Sequence, residues 1–142
     1  KSPRAIASGY LDGKSASPAD LYPDIVVLLE TSVSVAYSVN GESFLATQVI
    51  APTTAGSLKL AVTDMNLDDY PDVVVLDTAS EKLSIFLNLS GRKFHSGYHF
   101  HTGVGPADLA IADLDGDGCP DVATADRNGF SITYLKSTLC GE

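Results

Sequence analysis

The hydrophobic residues of this chain fall in short runs that are typical of β-strands, and no segment repeats with the 3.6-residue period of an amphipathic helix. Turn-forming residues separate the runs, and the pairs Asn40-Gly41 and Asn128-Gly129 predict tight hairpins. The predicted strands are Ala5–Ala7, Ile25–Leu29, Ser32–Ser38, Phe44–Ile50, Leu58–Thr63, Val73–Leu76, Leu83–Asn88, Phe94–His101, Leu109–Ala112, Val122–Ala125 and Phe130–Leu135. The pattern therefore predicts an all-β chain.

The strand pattern occurs three times. When the sequence is aligned on Asp24, Asp72 and Asp121, each aspartate is followed by an apolar strand, and the spacings are 48 and 49 residues. The units cover approximately 1–54, 55–103 and 104–142 of a single domain, and the third has no room for a full outer strand. Units of about 45–50 residues with four short antiparallel strands are typical of β-propeller blades.

The loop 113–121 of the third unit carries four carboxylates at alternating positions and two glycines. Such a set favours a hard cation with oxygen ligands, and calcium is the natural candidate. The predicted ligands are the side chains of Asp113, Asp115, Asp117 and Asp121 and the main-chain carbonyl of Cys119. An EF-hand is excluded because position 12 is Thr124 instead of glutamate and both flanks are β-like.

The corresponding loops of the other two units are less regular. In the second loop the predicted calcium ligands are Asp64, Asn66, Asp68 and Asp72 and the carbonyl of Tyr70. Asp69 replaces the second glycine there, which predicts a slightly strained turn. In the first loop Gly9 replaces the first aspartate, and Asp12, Asp20 and Asp24 form only a weak candidate site.

This repeat unit resembles the FG-GAP or VCBS-type repeat of integrin α-subunit propellers and related extracellular proteins. The resemblance rests on the Asp-x-Asp/Asn-x-Asp-Gly-x-x-Asp loop between two apolar strands and covers essentially the whole chain. It implies three propeller-type blades of about 48 residues with structural calcium. Because family propellers close with several blades, commonly seven, three blades predict completion or extension by self-association. A six-bladed ring, a filament and a piece of a larger protein all remain open.

Composition and charge narrow the choice of partners. Of the 142 residues, 44% are hydrophobic and 19% are charged, which predicts a folded globular domain. The net charge of −9 disfavours nucleic acid and anionic membranes as partners, and no apolar run approaches the ~18 residues that span a bilayer. The start at Lys1 fits a processed secreted protein, although an arbitrary boundary in a longer chain would look the same.

Two further motifs bear on an extracellular location. Cys119 lies in the third loop and Cys140 follows the last strand, which is expected to end near that loop, so a disulfide is predicted. Two buried or free thiols, or an intermolecular bridge, are the alternatives. Asn88-Leu89-Ser90 is an N-glycosylation sequon at the end of a predicted strand, so Asn88 is a candidate glycosylation site.

The function predicted from these features is non-enzymatic. The sequence has no nucleophile elbow, no plausible Cys–His pair and no phosphate-binding glycine loop with lysine. The leading hypothesis is a secreted or cell-surface, calcium-stabilised building block that acts in adhesion by binding itself. The alternative is a calcium-dependent propeller lectin, and other extracellular proteins are further candidate partners. The aromatic candidates for stacking on sugars are Tyr10, Tyr22, Tyr70 and Tyr98.

Overall fold

The structure is a computed structural model that describes residues 2–13, 22–90 and 92–140. These residues form eleven strands and no helix, so the all-β prediction is confirmed. Sheet 1 contains β1 (Pro3–Gly9), β2 (Asp24–Leu29), β3 (Ser32–Ala36) and β4 (Gln48–Pro52). Sheet 2 contains β5 (Ser57–Thr63), β6 (Asp72–Asp77), β7 (Lys82–Phe86) and β8 (Tyr98–His101), and sheet 3 contains β9 (Pro106–Ala112), β10 (Asp121–Asp126) and β11 (Ser131–Leu135).

All three sheets are antiparallel meanders in which consecutive strands are neighbours. Sheet 3 has three strands, as its short sequence predicted. The fourth strands of the other sheets are shorter than predicted, because Phe44 and Phe94 form only isolated bridges to Ser38 and Asn88. Before β8 the extended chain is interrupted at Gly97, whose φ of 109° is accessible mainly to glycine.

The prediction of a tight hairpin at Asn128-Gly129 is wrong in the length of the connection. Asp126 pairs with Ser131, so the connection has four residues and Phe130, with φ 49°, takes the left-handed conformation. The reason is tertiary: the backbone N–H groups of 127–129 donate to the carbonyls of Val104 and Gly105. The connection is thereby fixed to the segment before β9.

Sheet 2 lies between two hydrophobic cores because the side chains of β6 alternate between its faces. Val73 and Val75 pack in the core shared with sheet 1, whereas Val74 and Leu76 pack in the core shared with sheet 3. Every residue of β6 is buried, as the continuous apolar run predicted. Each buried aliphatic side chain contributes roughly 1.5–3 kcal/mol relative to an exposed one.

The three sheets are stacked in the order 1, 2, 3. We call the face of a sheet that points in the direction from sheet 1 to sheet 3 the forward face, and the opposite face the backward face. The forward face of sheet 2 includes Leu83 and Ile85, which are 0% and 3% exposed. The register places Ile132 and Tyr134 at the same positions of sheet 3, where they are 77% and 47% exposed. The forward face of sheet 3 is therefore open to solvent.

Candidate metal-binding loops

A buried aspartate begins the second strand of every sheet and fastens the loop that precedes it. Asp24, Asp72 and Asp121 are each 0% exposed. One carboxylate oxygen accepts the N–H of the residue that lies two positions beyond the end of the first strand. The other oxygen accepts an N–H from a residue just beyond the third strand. The donors are Leu11 (2.8 Å) and Ser38 (2.8 Å) for Asp24, Met65 (2.7 Å) and Asn88 (2.7 Å) for Asp72, and Leu114 (3.1 Å) and Ser137 (2.8 Å) for Asp121.

This fastening role was missed by the sequence reasoning, which treated the three aspartates only as metal ligands. The sequence signal was present, because all three units keep this aspartate together with the proline before it. Buried charge-assisted hydrogen bonds to backbone N–H groups are each worth about 1.5–3 kcal/mol. In each sheet the carboxylate therefore joins the loop after the first strand, the start of the second strand and the chain after the third strand.

The three carboxyl groups differ in their electrostatic surroundings. Burial raises the pKa of Asp72 to about 7, against the opposing effect of the N–H groups of Asn88 and Met65. Burial also raises the pKa of Asp24. For Asp121 the N–H of Ser137 outweighs burial, and its pKa lies below the ordinary value. The difference is physical, because the faces of sheets 1 and 2 on this side pack in a hydrophobic core, whereas the corresponding face of sheet 3 is exposed.

The third loop brings three of the predicted ligands together. Asp113, Asp115 and Asp117 each offer a carboxylate oxygen, and these oxygens lie within 4.8 Å of one another. The loop is shaped by Asp113, whose oxygens accept the N–H groups of Gly116 (2.7 Å) and Gly118 (2.9 Å). Both glycines have positive φ, 80° and 91°, which explains their presence. Asp121 is not part of this group of three.

A cation already contacts this cluster. The ammonium group of Lys136, just beyond β11, contacts the carboxylate of Asp115 and lies 2.9 Å from Oδ2 of Asp117. The N–H of Cys119 and then Lys136 lower the pKa of Asp117, and the two carboxylates raise the pKa of Lys136. The donor set is thus arranged to hold positive charge, and carboxylate oxygens are the ligands that calcium prefers.

The second loop has the same backbone form with different residues. Asp64 accepts the N–H groups of Asp68 (3.2 Å) and Asp69 (2.8 Å). Leu67 and Asp69 occupy the positions of the two glycines and have φ of 63° and 71°. Asp69 thus adopts the conformation that the sequence flagged as strained, whereas the strain at Leu67 was not foreseen. Asn66 donates to Asp68 (3.2 Å), so three of the predicted ligands are neighbours here as well.

The first loop is built differently. The prediction that Gly9 replaces the first aspartate is wrong, because Gly9 pairs with Asp24 as Thr63 pairs with Asp72, which puts Tyr10 at the position of Asp64. Arg92, between β7 and β8, donates to Oδ2 of Asp12 from Nη2 (2.6 Å) and Nε (3.2 Å) and stacks 4.4 Å from the ring centre of Tyr37. Asp20 lies outside the described residues. Among the residues that the structure describes, Asp12 is therefore engaged by arginine and Asp24 by backbone N–H groups.

The predicted disulfide is present. Cys119 and Cys140 are bonded, with Cα atoms 5.9 Å apart, and neither cysteine is free. The bond ties the third loop to the chain beyond β11. Because Lys136 and Ser137 contact the same loop, the segment after β11 holds the loop through a covalent bond, an ion pair and a hydrogen bond.

The structure argues against glycosylation of Asn88. This residue is 0% exposed, and its amide nitrogen donates to the carbonyls of Leu11 (2.7 Å) and Pro71 (3.2 Å). A glycan would replace one of the two hydrogens on that nitrogen, so at least one of these hydrogen bonds would have to break and the site would have to open. The sequon instead encodes a buried amide that connects sheet 2 to the loop after β1.

One groove of about 350 Å³ lies between the end of β4 and the backward face of sheet 2. Its lining combines hydroxyl, charged and aromatic groups, with Thr53, Asp77, Lys82, Ser84, Phe86 and His99 among them. Ser84 Oγ and His99 Nδ1 are 2.9 Å apart. None of the four tyrosines named above, all of them in the described part of the chain, belongs to this lining, and Tyr98 stacks instead on His95 at 4.7 Å.

Comparison with known proteins finds one family model that matches part of the chain. No curated protein matches the chain. No helix within the described residues is long and apolar enough to span a membrane. The sequence model described as "FG-GAP-like repeat" matches residues 64–124, a stretch that holds both complete loops and the strands between them.

Proteins of this family are generally non-enzymatic and typically extracellular, and their repeats often bind calcium. The Cys119–Cys140 bond fits an oxidising compartment. The resemblance that the sequence motifs suggested is thus confirmed over residues 64–124, the stretch that the FG-GAP-like repeat model matches.

Proposed function

We propose that this protein is a calcium-stabilised, extracellular building block whose three sheets are propeller-like blades and which works by binding further copies of itself. The observation that carries the proposal is the open forward face of sheet 3. Positions that are buried between sheets 1 and 2, and again between sheets 2 and 3, are exposed there.

The same difference in exposure is found in the loop that follows the first strand of each sheet. Leu11 and Met65, whose N–H groups meet the buried aspartates, are 0% exposed, whereas their counterpart Leu114 is 51% exposed. Together with Ile132 and Tyr134, Leu114 forms an apolar rim around the alanines of β9 and β10. Several exposed apolar side chains on one face of a sheet are typical of an interaction site.

The opposite end of the chain offers a complementary surface. Across the backward face of sheet 1 the register places Ile6, Val27 and Val49 in one row, and Ile6 and Val49 are 70% and 60% exposed. The counterparts of Ile6 are Leu60 and Leu109, which pack against the two cores. The backward face of sheet 1 therefore corresponds to the backward faces of sheets 2 and 3, which cover the forward faces of sheets 1 and 2 within this chain.

The occupant of the open forward face is accordingly the backward face of sheet 1 from a second copy. This contact continues the two interfaces within the chain and joins different surfaces of the two partners. Such a heterologous contact closes into a ring when the rotation permits and otherwise extends into a filament. The division into repeats at 1–54, 55–103 and 104–142 is part of this proposal and is supported by one sheet in each unit.

The test is the mass of the protein in solution, measured by light scattering coupled to size exclusion in the presence of calcium. We expect multiples of the chain mass for the wild type. Ile132→Lys and Ile6→Lys, one on each face, should each give monomers, and mixing the two variants should give dimers through the intact pair of faces. Leu89→Lys, at a leucine that is 56% exposed but lies between β7 and β8, is the matched control and should assemble normally. A wild type that stays monomeric at high concentration would contradict the assembly.

Calcium has a structural role in this proposal. The third loop would hold it with Asp113, Asp115, Asp117 and Asp121 and the carbonyl of Cys119, and the second with Asp64, Asn66, Asp68 and Asp72 and the carbonyl of Tyr70. When bound, the ion offsets the mutual repulsion of the carboxylates and links loop folding to calcium concentration. The chain's own hydrogen bonds from Asp113 and Asp64 hold each loop in shape.

Thermal unfolding with saturating calcium and with a chelator tests this role. Binding at about 100 times the dissociation constant should raise the Tm by about 5–10 °C. Asp117→Asn should reduce that gain, whereas Glu42→Gln, at an exposed acid outside the loops, should leave it intact. An equal Tm with calcium and with chelator would refute the metal role.

A lectin is the second candidate, and the groove on sheet 2 is the observation that favours it. The hydroxyl groups of its lining and the ammonium group of Lys82 suit the polar edges of a sugar. Binding on a glycan array that is lost in Lys82→Ala and retained in Lys93→Ala would support this function, and no binding across a broad array would refute it.

A further inference from the structure

The strongest additional feature is the ion pair of Lys136 with the third loop. The ammonium group contacts Asp115 and Asp117, two of the three carboxylates that converge there. Its side chain is 51% exposed, and it reaches the loop from the end of β11, next to the residues that bind Asp121 through Ser137 N–H and Tyr134 Oη.

The equivalent positions of the other sheets show that a charge is not needed there for folding. By register Lys136 corresponds to Tyr37 in sheet 1 and Leu87 in sheet 2, which are 1% and 4% exposed and belong to the two cores. In sheet 3 the forward face is open, so a lysine can occupy the position and turn its ammonium toward the loop. The second loop, whose equivalent residue is Leu87, has no such lysine at this position.

We infer that Lys136 is a built-in competitor of calcium at the third loop: it neutralises the carboxylates when the metal is absent and is displaced when calcium binds. This inference rests on the calcium role proposed above. The Oδ1 atoms of Asp115 and Asp117 accept backbone N–H groups, so calcium and the ammonium group compete for the two Oδ2 atoms and cannot both be held fully at once. Lys136 therefore weakens calcium binding at this loop and stabilises the metal-free loop.

The experiment is a calorimetric calcium titration of the full chain carrying Asp68→Asn, which weakens the second loop, with and without a change at Lys136. Lys136→Met should bind calcium about 3- to 10-fold more tightly, because two partly exposed ion pairs no longer compete. Lys136→Arg keeps the charge and should stay near the parent value. Lys93→Met removes the same charge from the connection between β7 and β8 and is the matched control.

The metal-free state supplies a second measurement. With chelator present, Lys136→Met should unfold about 2–5 °C below the parent, whereas Lys93→Met should unfold at the parent temperature. If the parent binds calcium, Asp117→Asn weakens that binding and Lys136→Met leaves the affinity unchanged, the competitor role is refuted while the calcium role stands. If neither the parent nor Lys136→Met binds calcium, both are refuted.

Discussion

The first three strands of sheet 2 and the three strands of sheet 3 have the same register and the same kind of loop, but sheet 2 has a neighbouring sheet on both faces and sheet 3 on one face only. All residues of β6 are buried between two sheets, whereas β10 and β11 pack on one side only, and Ile132 is 77% exposed. Burial is therefore decided here by what covers a strand and not by the strand pairing itself.

The same difference reaches the polar residues. Asp72 and Asp121 make equivalent hydrogen bonds, yet burial raises the pKa of Asp72 to about 7 while the N–H of Ser137 helps to keep the pKa of Asp121 below its ordinary value. The loops also diverge, since the third uses glycines where the second uses Leu67 and Asp69. Two pairs of substitutions and two single substitutions test how far the two sheets differ.

The largest expected effect comes from equivalent apolar positions on the forward faces. Leu83→Ala should lower the free energy of unfolding by about 2–5 kcal/mol, because it leaves a cavity between two sheets. Ile132→Ala should change it by less than about 0.5 kcal/mol in the monomer, since the side chain is already solvated. Urea unfolding of dilute protein measures both values. Equal losses would show that something covers the forward face of sheet 3.

A smaller effect is expected at the buried aspartate of the central sheet. Asp72→Asn keeps the shape but can accept through one oxygen only, so one of the N–H groups of Met65 and Asn88 loses its acceptor. The cost should be about 1–3 kcal/mol in urea unfolding with chelator present, which removes any metal contribution. An unchanged stability would mean that these hydrogen bonds do not hold the loop.

The left-handed positions of the two loops should respond in opposite directions. Leu67→Gly relieves a positive φ in the second loop and should stabilise the metal-free protein by about 1 kcal/mol. Gly116→Ala introduces the same strain in the third loop, where no atom lies near the added methyl group, and should cost about 1 kcal/mol. Thermal unfolding with chelator measures both. Changes of the same sign would contradict the shared backbone form.

The smallest effect concerns pH. Burial works to raise the pKa of Asp77, but hydrogen bonds led by the Thr54 hydroxyl and the Ser80 N–H outweigh it and the pKa is lowered. A lowered pKa contributes stability that is fully present above the unfolded value of about 3.9 and is lost as the pH falls through the folded value. Asp77→Asn should therefore flatten the stability profile below pH ~4 by less than about 1 kcal/mol, as urea unfolding at pH 3 to 6 can show. A profile that stays as steep as that of the wild type would assign the acid sensitivity elsewhere.

Much of the fold was predictable from local patterns. The strands around Val73–Leu76 and the repeat spacing follow from side-chain alternation and from one aspartate per unit, both of which can be read without knowing any contact. The convergence of Asp113, Asp115 and Asp117 was also predictable, because alternate spacing in a loop with glycine turns allows the side chains to point to a common centre. The Cys119–Cys140 bond followed from strand direction.

Other features could not be predicted because they depend on residues far apart in the chain. Asn88 matched a surface sequon, but its side-chain amide donates a hydrogen bond to the carbonyl of Leu11, which lies 77 residues away in the sequence. Asp12 matched a weak metal site, but Arg92, 80 residues away, engages it. The hairpin at Asn128-Gly129 was lengthened by hydrogen bonds to Val104, which lies outside the hairpin.

The sequence by itself thus determined the strands, their repeated order and the chemistry of the loops, since these depend on residue type and short spacing. Only the tertiary structure decided which faces are covered, that Asp72 fastens a loop inside the protein, and that Lys136 meets the third loop. Those outcomes arise from the order in which sheets stack, because a position that is buried in sheet 2 becomes solvated where the stack ends at sheet 3.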